Sequence, residues 1–446
     1  MQSGSAASGG YFIMFSELIS YIEGREILIL GFGREGRSTY EIIRRHLPDK
    51  VIGIADLREI EIEDANVRLF CGKNYLDSIS QFDTVIKTPG ISMRSVSVPE
   101  GVEITCQTDL FLRFSQGVCI GVTGTKGKTT TTTLIYQILK TAGKRVCLIG
   151  NMGIPVLDSL ERGDFDYAAI EMSSHQLEFT TASPHIAVVT NIYPEHLDHY
   201  NGFEGYVRAK LNIFKYQLGS DYLVCTANQN LNTYCDFSVV MPSVIKVGIA
   251  ENAGDAAIRN AIASNERMKG VHNLHNALMA ATVARCLGID DECIAEAYSN
   301  FNGIENRMEP VGEYHGIRFY NDSIATIPHA VECAVGALEE VDSLIFGGMD
   351  RGIDYSGFIK YLMTCPVNNL IGLPDTGVSI CRTLKDMGCT KNLVEAHNME
   401  EAVDAAFRYT EKGKICLMSP AASSYNVYRD FEEKGNHYKE LIKNWQ

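Results

Sequence analysis

Short apolar runs, each closed by a glycine-rich or polar turn and most followed by a helical stretch, set the rhythm of this chain. The runs 26–30, 51–55 and 83–87 read as buried strands, with a helix between the first two that extends to about His46. The run 118–122 is the next strand; 131–142 then sets Leu134, Ile135, Ile138 and Leu139 on one helical face and stops at Gly143. Strands follow at 145–149, 166–170 and 186–191, a helix at 206–216, and an alanine-rich helix that opens at His272 and ends at Gly288. The last part carries strands at 317–320, 343–346 and 415–418. Apolar strands alternating with helices imply parallel sheets covered by those helices. The expected fold class is α/β in three domains: a Rossmann-like N-terminal domain (14–108), a central P-loop domain with a parallel sheet (109–304) and a Rossmann-like C-terminal domain (305–446). Residues 1–13, rich in Ser, Gly and Ala, read as a leader ahead of a start at Met14.

Composition narrows the function. With 45% hydrophobic and 21% charged residues over 446 positions, the chain reads as a globular protein able to bury several cores. Its net charge of -15 disfavours general electrostatic binding to nucleic acid, which needs clustered Lys and Arg. No apolar run approaches the roughly 18 residues that span a bilayer. Small-molecule partners are therefore expected, without nucleic acid or membrane, and a monomer is the simplest state. The 13 cysteines form no C-x-x-C pair, which points away from a zinc site or disulfide framework and towards a reducing cytoplasm.

Two glycine turns carry candidate chemistry. In Thr123-Gly-Thr-Lys-Gly-Lys-Thr-Thr130 the backbone of Gly124, Thr125, Lys126 and Gly127 and the following helix N-terminus can face a phosphate chain. Lys128 adds a point charge, and the Thr129 hydroxyl, with Thr130 beside it, can take a place on Mg2+. The loop departs from the general G-x-x-x-x-G-K-[ST] spacing, because Val122 stands where the first glycine would be. The second turn, Gly31-Phe-Gly-Arg-Glu-Gly36, follows a strand and has Asp56 about 20 residues on, the arrangement of a dinucleotide-binding β-α-β unit. NAD and another nucleotide such as UDP both fit it. Elsewhere, Glu171 closes a strand near the phosphate loop, and Pro194-Glu-His-Leu-Asp-His199 gathers two imidazoles and two carboxylates. Lys210, Asn276, Arg307 and Asp322 look ordinary in isolation: helix faces, a loop cation and a strand-end turn residue.

Taken together, these segments resemble the Mur ligases, which build the peptidoglycan peptide by ATP-driven amide formation. The resemblance rests on Thr123 to Thr130, Glu171-Met-Ser-Ser-His-Gln-Leu-Glu178, Asn191-Ile-Tyr-Pro-Glu-His-Leu-Asp-His-Tyr200, Arg208-Ala-Lys-Leu211, His272-Asn-x-x-Asn276, Asn306-Arg-Met-Glu309 and Asn321-Asp-Ser323. Within the family the chain is most similar to the branch that adds D-glutamate to UDP-N-acetylmuramoyl-L-alanine, through its Rossmann-like N-terminal domain, Glu171-Met-Ser-Ser-x-Gln-Leu-Glu178 and Ser419-Pro-Ala421. The resemblance implies that Lys128 and Thr129 hold ATP phosphates and a first Mg2+, with Glu171 completing its shell. His196 and Lys210 would serve a second Mg2+, the lysine as its carbamate. Asn276, Arg307 and Asp322 would hold the nucleotide; Arg34, Glu35, Asp56, Leu57, Arg58 and Gly90 would surround the UDP, with Asn151 and His196 nearer the reacting end. Thr326, Arg351, Ser424, Tyr425 and Phe431 would form the glutamate site.

Some positions depart from the family. Lys126 replaces a usual Asn, Ile324 a lysine, Ile327 an amide, and Arg351 a lysine that would bind the glutamate carboxylate. These last three fall in the domain that chooses the amino acid, so an L-glutamate-adding ligase is the alternative. Folylpolyglutamate synthesis is disfavoured by the UDP-type N-terminal domain. An NAD-dependent oxidoreductase would leave Gly127-Lys-Thr129 idle, and a catalytically silent nucleotide-binding partner would have no need of intact Lys128, Glu171, His196 and Lys210.

Overall fold

The computed structural model describes residues 6–445 apart from 95, 151–154, 196–198, 201, 228–232, 235–241, 250–254, 269, 339 and 351–352. Asn151, His196 and Arg351 lie outside the described residues. The chain resolves into two compact units, Met1–Phe301 and Asn302–Gln446.

The first unit opens with α1 (Ala6–Glu23), so much of the segment expected to be a leader is helical. Leu18 and Ile22 of α1 are fully buried, which gives that helix an apolar anchor. A five-stranded parallel sheet follows: β1 (Ile27–Leu30), α2 (Arg34–His46), β2 (Ile52–Asp56), β3 (Val67–Cys71), β4 (Thr84–Lys87) and β5 (Glu103–Thr105), in spatial order β3-β2-β1-β4-β5. Every residue of β1, β2 and β4 is buried, as the continuous apolar runs require. Helix α3 (Gln107–Phe114) leads into a second sheet of six parallel strands: β6 (Val118–Thr123), β7 (Val146–Gly150), β8 (Tyr167–Glu171), β9 (Ile186–Val189), β10 (Tyr222–Thr226) and β11 (Ser243–Val247). Its order is β11-β10-β9-β6-β8-β7, and its helices are α4 (Lys128–Thr141), α5 (Val156–Arg162), α6 (Ser174–Leu177), α7 (Phe203–Lys215), α8 (Ala256–Ser264), α9 (Val271–Cys286) and α10 (Asp291–Ser299).

One hydrophobic cluster runs from Leu18 through Ile29, Ile42 and Phe111 to Leu223, joining both sheets in a single unit. Polar ties reinforce it: Ser38 Oγ donates to Asp158 Oδ1 at 3.1 Å, and Gln107 Nε2 donates to Glu35 O at 2.9 Å. Strand order reverses at β1 in the first sheet and at β6 in the second, and ligands in open α/β sheets bind beyond the strands' C-terminal ends at such points. The two glycine turns follow those two strands.

The second unit carries β12 (Glu309–Tyr314), β13 (Ile317–Asn321), α11 (Pro328–Ala337), β14 (Val341–Phe346), α12 (Ser356–Thr364), β15 (Asn369–Gly372), α13 (Thr376–Asp386), β16 (Asn392–Glu395), α14 (Met399–Tyr409), β17 (Ile415–Met418) and α15 (Phe431–Asn444). The spatial order is β12-β13-β17-β14-β15-β16, antiparallel only between β12 and β13. Separate apolar clusters cover its two faces, one around Leu344 and Phe346, the other around Phe319, Met418 and Tyr438. Because β17 inserts between β13 and β14, the loops after β14 and β17 come together at the sheet's ligand-binding end.

Candidate functional site

Strand β6 ends at Thr123 and α4 starts at Lys128, so the chain turns within 124–127. Gly124 (φ +148°) and Gly127 (φ +86°) hold backbone conformations that L side chains rarely adopt. A Cβ on Gly124 would lie 1.9 Å from Thr190 Oγ1, and one on Gly127 2.5 Å from Asn276 Oδ1. Close approach, as well as φ, therefore demands glycine at both positions. The residues after β9 fix the turn: Lys126 N donates to Asn191 Oδ1 at 2.8 Å, and Thr190 Oγ1 donates to Lys126 O at 2.7 Å. Thr125 Oγ1 accepts from Tyr193 N at 2.9 Å and sits 3.0 Å from Tyr206 OH. Such a loop is organised before any phosphate arrives.

Two cations converge on it. Lys128 Nζ donates to the carbonyls of Gly124 (3.1 Å) and Thr125 (3.0 Å), and Lys210 Nζ donates to Gly124 O at 2.8 Å. Lys210 is 2% exposed. Burial first, and the Lys128 charge second, push its pKa down to about 7 against the pull of Glu195 and Glu171. Such an amine is substantially neutral near pH 7 and so nucleophilic. Glu171, the buried last residue of β8, pairs with Val122 in the ladder beside β6. Thr129 and Thr130 occupy the first turn of α4, and Asn276 lies against Gly127 from α9. Lys126 points to solvent and pairs with Glu195 at 2.9 Å. The phosphate-loop residues, Glu171, Lys210 and Asn276 are thus brought together.

The turn after β1 has the same logic. A Cβ on Gly31 (φ +96°) would lie 2.1 Å from Thr88 Oγ1, and one on Gly36 2.0 Å from Gly31 O. Asp56 accepts from Phe32 N (2.8 Å) and Arg58 N (2.9 Å), which ties the acid to the glycine turn. Burial would raise its pKa, but the bonds from Arg58 and Phe32 hold it below the ordinary carboxylate value. Arg34, Leu57, Arg58 and Gly90 are exposed here, able to meet a ligand. Glu35 is different. Its Oε1 accepts from Gln176 Nε2 at 3.3 Å, while Oε2 is sealed from solvent with no hydrogen-bond partner. Burial lifts this carboxyl to about 7, against Gln176, Arg34 and Lys87.

Sequence reasoning did not select Lys87 or Gln176. Lys87 ends β4 only 2% exposed, with Nζ 3.3 Å from Thr88 O and 4.0 Å from Glu178 Oε2. A lysine closing an apolar strand is the signal that could have marked it. Gln176 completes a capping box with Ser173 at the start of α6.

In the second unit, Asp322 follows β13. Its Oδ2 accepts from Ser419 Oγ at 2.7 Å and its Oδ1 from Met308 N at 3.1 Å. Burial raises its pKa to about 6, opposed by those bonds and by the Arg307 charge. Arg307 itself is exposed. Thr326 is half-buried and Tyr425 is 59% exposed, whereas Ser424 is buried with no hydrogen-bond partner for Oγ. Phe431 is the first residue of α15.

Among the described residues no group of three or more His, Cys, Asp or Glu side chains could hold a metal ion. Mg2+ needs no such cage, since it is usually held by one or two carboxylates together with substrate phosphates. Glu171 and Thr129 beside the phosphate loop suit that mode, with hard oxygen donors only.

The chain resembles known proteins over almost its whole length. Residues 122–284 match the Mur ligase middle domain, and 306–422 match the Mur ligase glutamate ligase domain. UDP-N-acetylmuramoylalanine--D-glutamate ligase of Acetivibrio thermocellus is 32% identical, over 94% of this chain and 97% of its own length. The enzyme of the same name from Clostridium botulinum (strain Hall) is also 32% identical, over 96% of this chain and 98% of its own. Among solved structures, UDP-N-acetylmuramate-alanine ligase MurC from Thermotoga maritima aligns with a TM-score of 0.53 at 20% identity, covering 95% of this chain and 100% of that one. MurF from Acinetobacter baumannii gives 0.57 at 15% identity, over 96% and 98%. With relatives at this identity over almost its whole length and two matching family domains, the first of which contains the phosphate loop, the chain belongs to the Mur ligase family.

Proposed function

We propose that the protein is an ATP-dependent amide ligase that joins D-glutamate to UDP-N-acetylmuramoyl-L-alanine, releasing ADP and phosphate, as a step of peptidoglycan precursor synthesis in the cytoplasm. The observation that carries this reading is the convergence of Lys128 and Lys210 on the Gly124 carbonyl beside Glu171, within a chain whose relatives bear that name. The γ-phosphoryl group passes to the terminal carboxylate of the UDP-sugar substrate. The glutamate amine attacks the resulting acyl phosphate, and phosphate leaves from a tetrahedral intermediate.

Lys128 neutralises charge on the phosphoryl group in flight, and the N–H groups of 124–127 hold the β and γ phosphates. Mg2+ would supply further charge neutralisation, held by Thr129 and Glu171 at one position and by His196 and Lys210 at a second. Lys210 serves there as a carbamate. Its neutral amine adds to CO2: an N–C bond forms as one C=O π bond opens onto oxygen, one nitrogen proton passes to solvent, and the product offers the anionic oxygens that an ammonium lacks. The depressed pKa of Lys210 supports this, because only the unprotonated amine reacts. Asn276, Arg307 and Asp322 contact the nucleotide. Arg34, Glu35, Asp56, Leu57, Arg58, Gly90, Asn151 and His196 bind the UDP-sugar substrate. Thr326, Arg351, Ser424, Tyr425 and Phe431 bind glutamate. The catalyst is a monomer acting on small molecules.

One observation favours a second reading in which the substrate is L-glutamate. Ile327, where the family carries an amide, is 52% exposed at the N-cap of α11, so its apolar surface replaces a polar contact in the amino-acid domain. The test is phosphate release from ATP with UDP-N-acetylmuramoyl-L-alanine and D-glutamate, L-glutamate or no amino acid, with product mass as the check. Turnover with D-glutamate alone is expected. Preference for L-glutamate would establish the second reading, and silence with both would overturn the ligase assignment. Intact-protein mass should show CO2 added on Lys210, lost in acid.

A further inference from the structure

The second unit holds a buried cation that the reaction described above does not use. Lys434, in the first turns of α15, is 2% exposed, and its Nζ donates to Gly347 O at 2.8 Å. Among the described residues no carboxylate pairs with it. A buried ammonium without a counter-charge is costly to retain and calls for an anion that arrives later. Burial alone depresses its pKa to about 7, so the amine is partly neutral until a carboxylate arrives beside it and holds it charged.

Its surroundings say where that anion sits. Gly347 and Gly348 follow β14, at the C-terminal end of the sheet where β17 inserts beside it. Gly348 has φ +158°, and a Cβ there would lie 2.2 Å from Ser423 O and 3.4 Å from Lys434 Nζ. Met349 N donates to Ser423 O at 2.8 Å, and Thr376 Oγ1 lies 3.1 Å from Gly348 N as its acceptor and 3.0 Å from Gly348 O as its donor. The loops after β14 and β17 are thereby clamped together over Lys434. The next residue, Ser424, carries a buried hydroxyl with no hydrogen-bond partner. A buried cation, an unanswered hydroxyl and a side-chain-free glycine backbone together fit a carboxylate.

We infer that Lys434 is a specificity-determining residue of the amino-acid site, supplying beneath the Gly347–Gly348 turn the second positive charge that selects a dicarboxylic amino acid. This rests on the ligase reading above, which gives one carboxylate of glutamate to Arg351. Glutamate has two, and the position that carries a lysine in the family is Ile324 here, so a second cation must come from elsewhere. Lys434 fills that need from a different element.

The charge can be separated from the scaffold. Lys434→Gln keeps a donor for Gly347 O and removes the cation; Lys434→Arg keeps the cation. Steady-state kinetics of the full chain would be measured with glutamate and with glutamine as the incoming amino acid. Lys434→Gln is expected to raise the glutamate KM by about tenfold or more and to narrow the preference for glutamate over glutamine, leaving the KM values for ATP and the UDP-sugar substrate within about twofold. Lys434→Arg is expected to retain the preference. Wild-type-like glutamate selectivity in Lys434→Gln, with the wild type turning over glutamate, would overturn the role of Lys434 alone. Equal loss towards all substrates, or loss in Lys434→Arg as severe as in Lys434→Gln, would reduce the residue to scaffolding. A wild type that uses no glutamate would instead overturn the ligase reading.

Discussion

Lys210 Nζ lies 2.8 Å from the carbonyl oxygen of Gly124, tying the middle of α7 to the phosphate loop 86 positions earlier. The bond points a buried amine at the place where phosphate charge must be handled. Lys210→Gln can keep the bond while losing both the charge and the amine that reacts with CO2. Phosphate release is expected to fall by about 10²–10³-fold, the size of losing one preorganised electrostatic contact. Thermal stability should hold or rise, because a side chain that is always neutral replaces an amine whose charged form is costly to bury. Turnover near the wild-type rate would remove Lys210 from the machinery.

Gly127 and Gly143 both have positive φ (+86° and +69°), yet their surroundings differ. A Cβ on Gly127 meets Asn276 Oδ1 at 2.5 Å, whereas one on Gly143 meets nothing within 4 Å. Gly127→Ala is expected to weaken ATP binding about tenfold or more and to cost about 1–3 kcal/mol of stability. Gly143→Ala should cost about 1 kcal/mol of backbone strain and leave the ATP KM unchanged. Measuring both KM and Tm for the pair checks this, and equal ATP defects would contradict it.

Much of this architecture was legible because local pattern and tertiary role agree. The apolar runs at 26–30, 118–122 and 415–418 became β1, β6 and β17 with shifts of a residue at most, since strands buried on both faces leave little room for polar residues. The phosphate loop was legible for the same reason: its glycines, lysine and threonine are all local in sequence. Lys87 and Lys434 were not. A lysine reads as solvated surface unless its burial is known, and both are buried by elements far away in the chain. The helix α1 was missed because small residues at 6–10 carry no apolar period, although Leu18 and Ile22 downstream pin it to the core. The join between the first two sheets was equally hidden, as it depends on long-range ties such as Gln107 to Glu35.

Lys126 stands in the phosphate loop, but its Nζ pairs outward with Glu195 at 2.9 Å, with side chains 68% and 32% exposed. Exposed pairs of this kind contribute about 0.2–1 kcal/mol. Lys126→Asn is therefore expected to change stability by less than about 1 kcal/mol and the ATP KM by less than about threefold, because the backbone N–H that bonds Asn191 is kept. A large rise in the ATP KM would show that this cation turns inward when nucleotide binds.

Glu35 sets a pH dependence that the neighbouring Asp56 does not share. In the folded protein its carboxyl titrates at about 7, against 4.5 for an unperturbed glutamate, with burial as the main cause. Between those two values the folded state binds more protons than the unfolded one, so raising the pH lowers stability across that window. The protonated acid's favourable share is fully present below 4.5 and is gone above about 7. Glu35→Gln has no such titration, and its carbonyl can still accept from Gln176 Nε2. The variant's Tm advantage over the wild type is expected to be small at about pH 5 and larger at about pH 8, where the wild type carries a charged oxygen without a hydrogen-bond partner, a burden of about 1–3 kcal/mol. Melting curves at both pH values measure the difference. An equal gap at the two pH values would mean that Glu35 is charged throughout, with solvent or a cation reaching Oε2. If the gap widens as expected, the carboxyl is held neutral below about pH 7, so the sealed Oε2 carries no buried charge there.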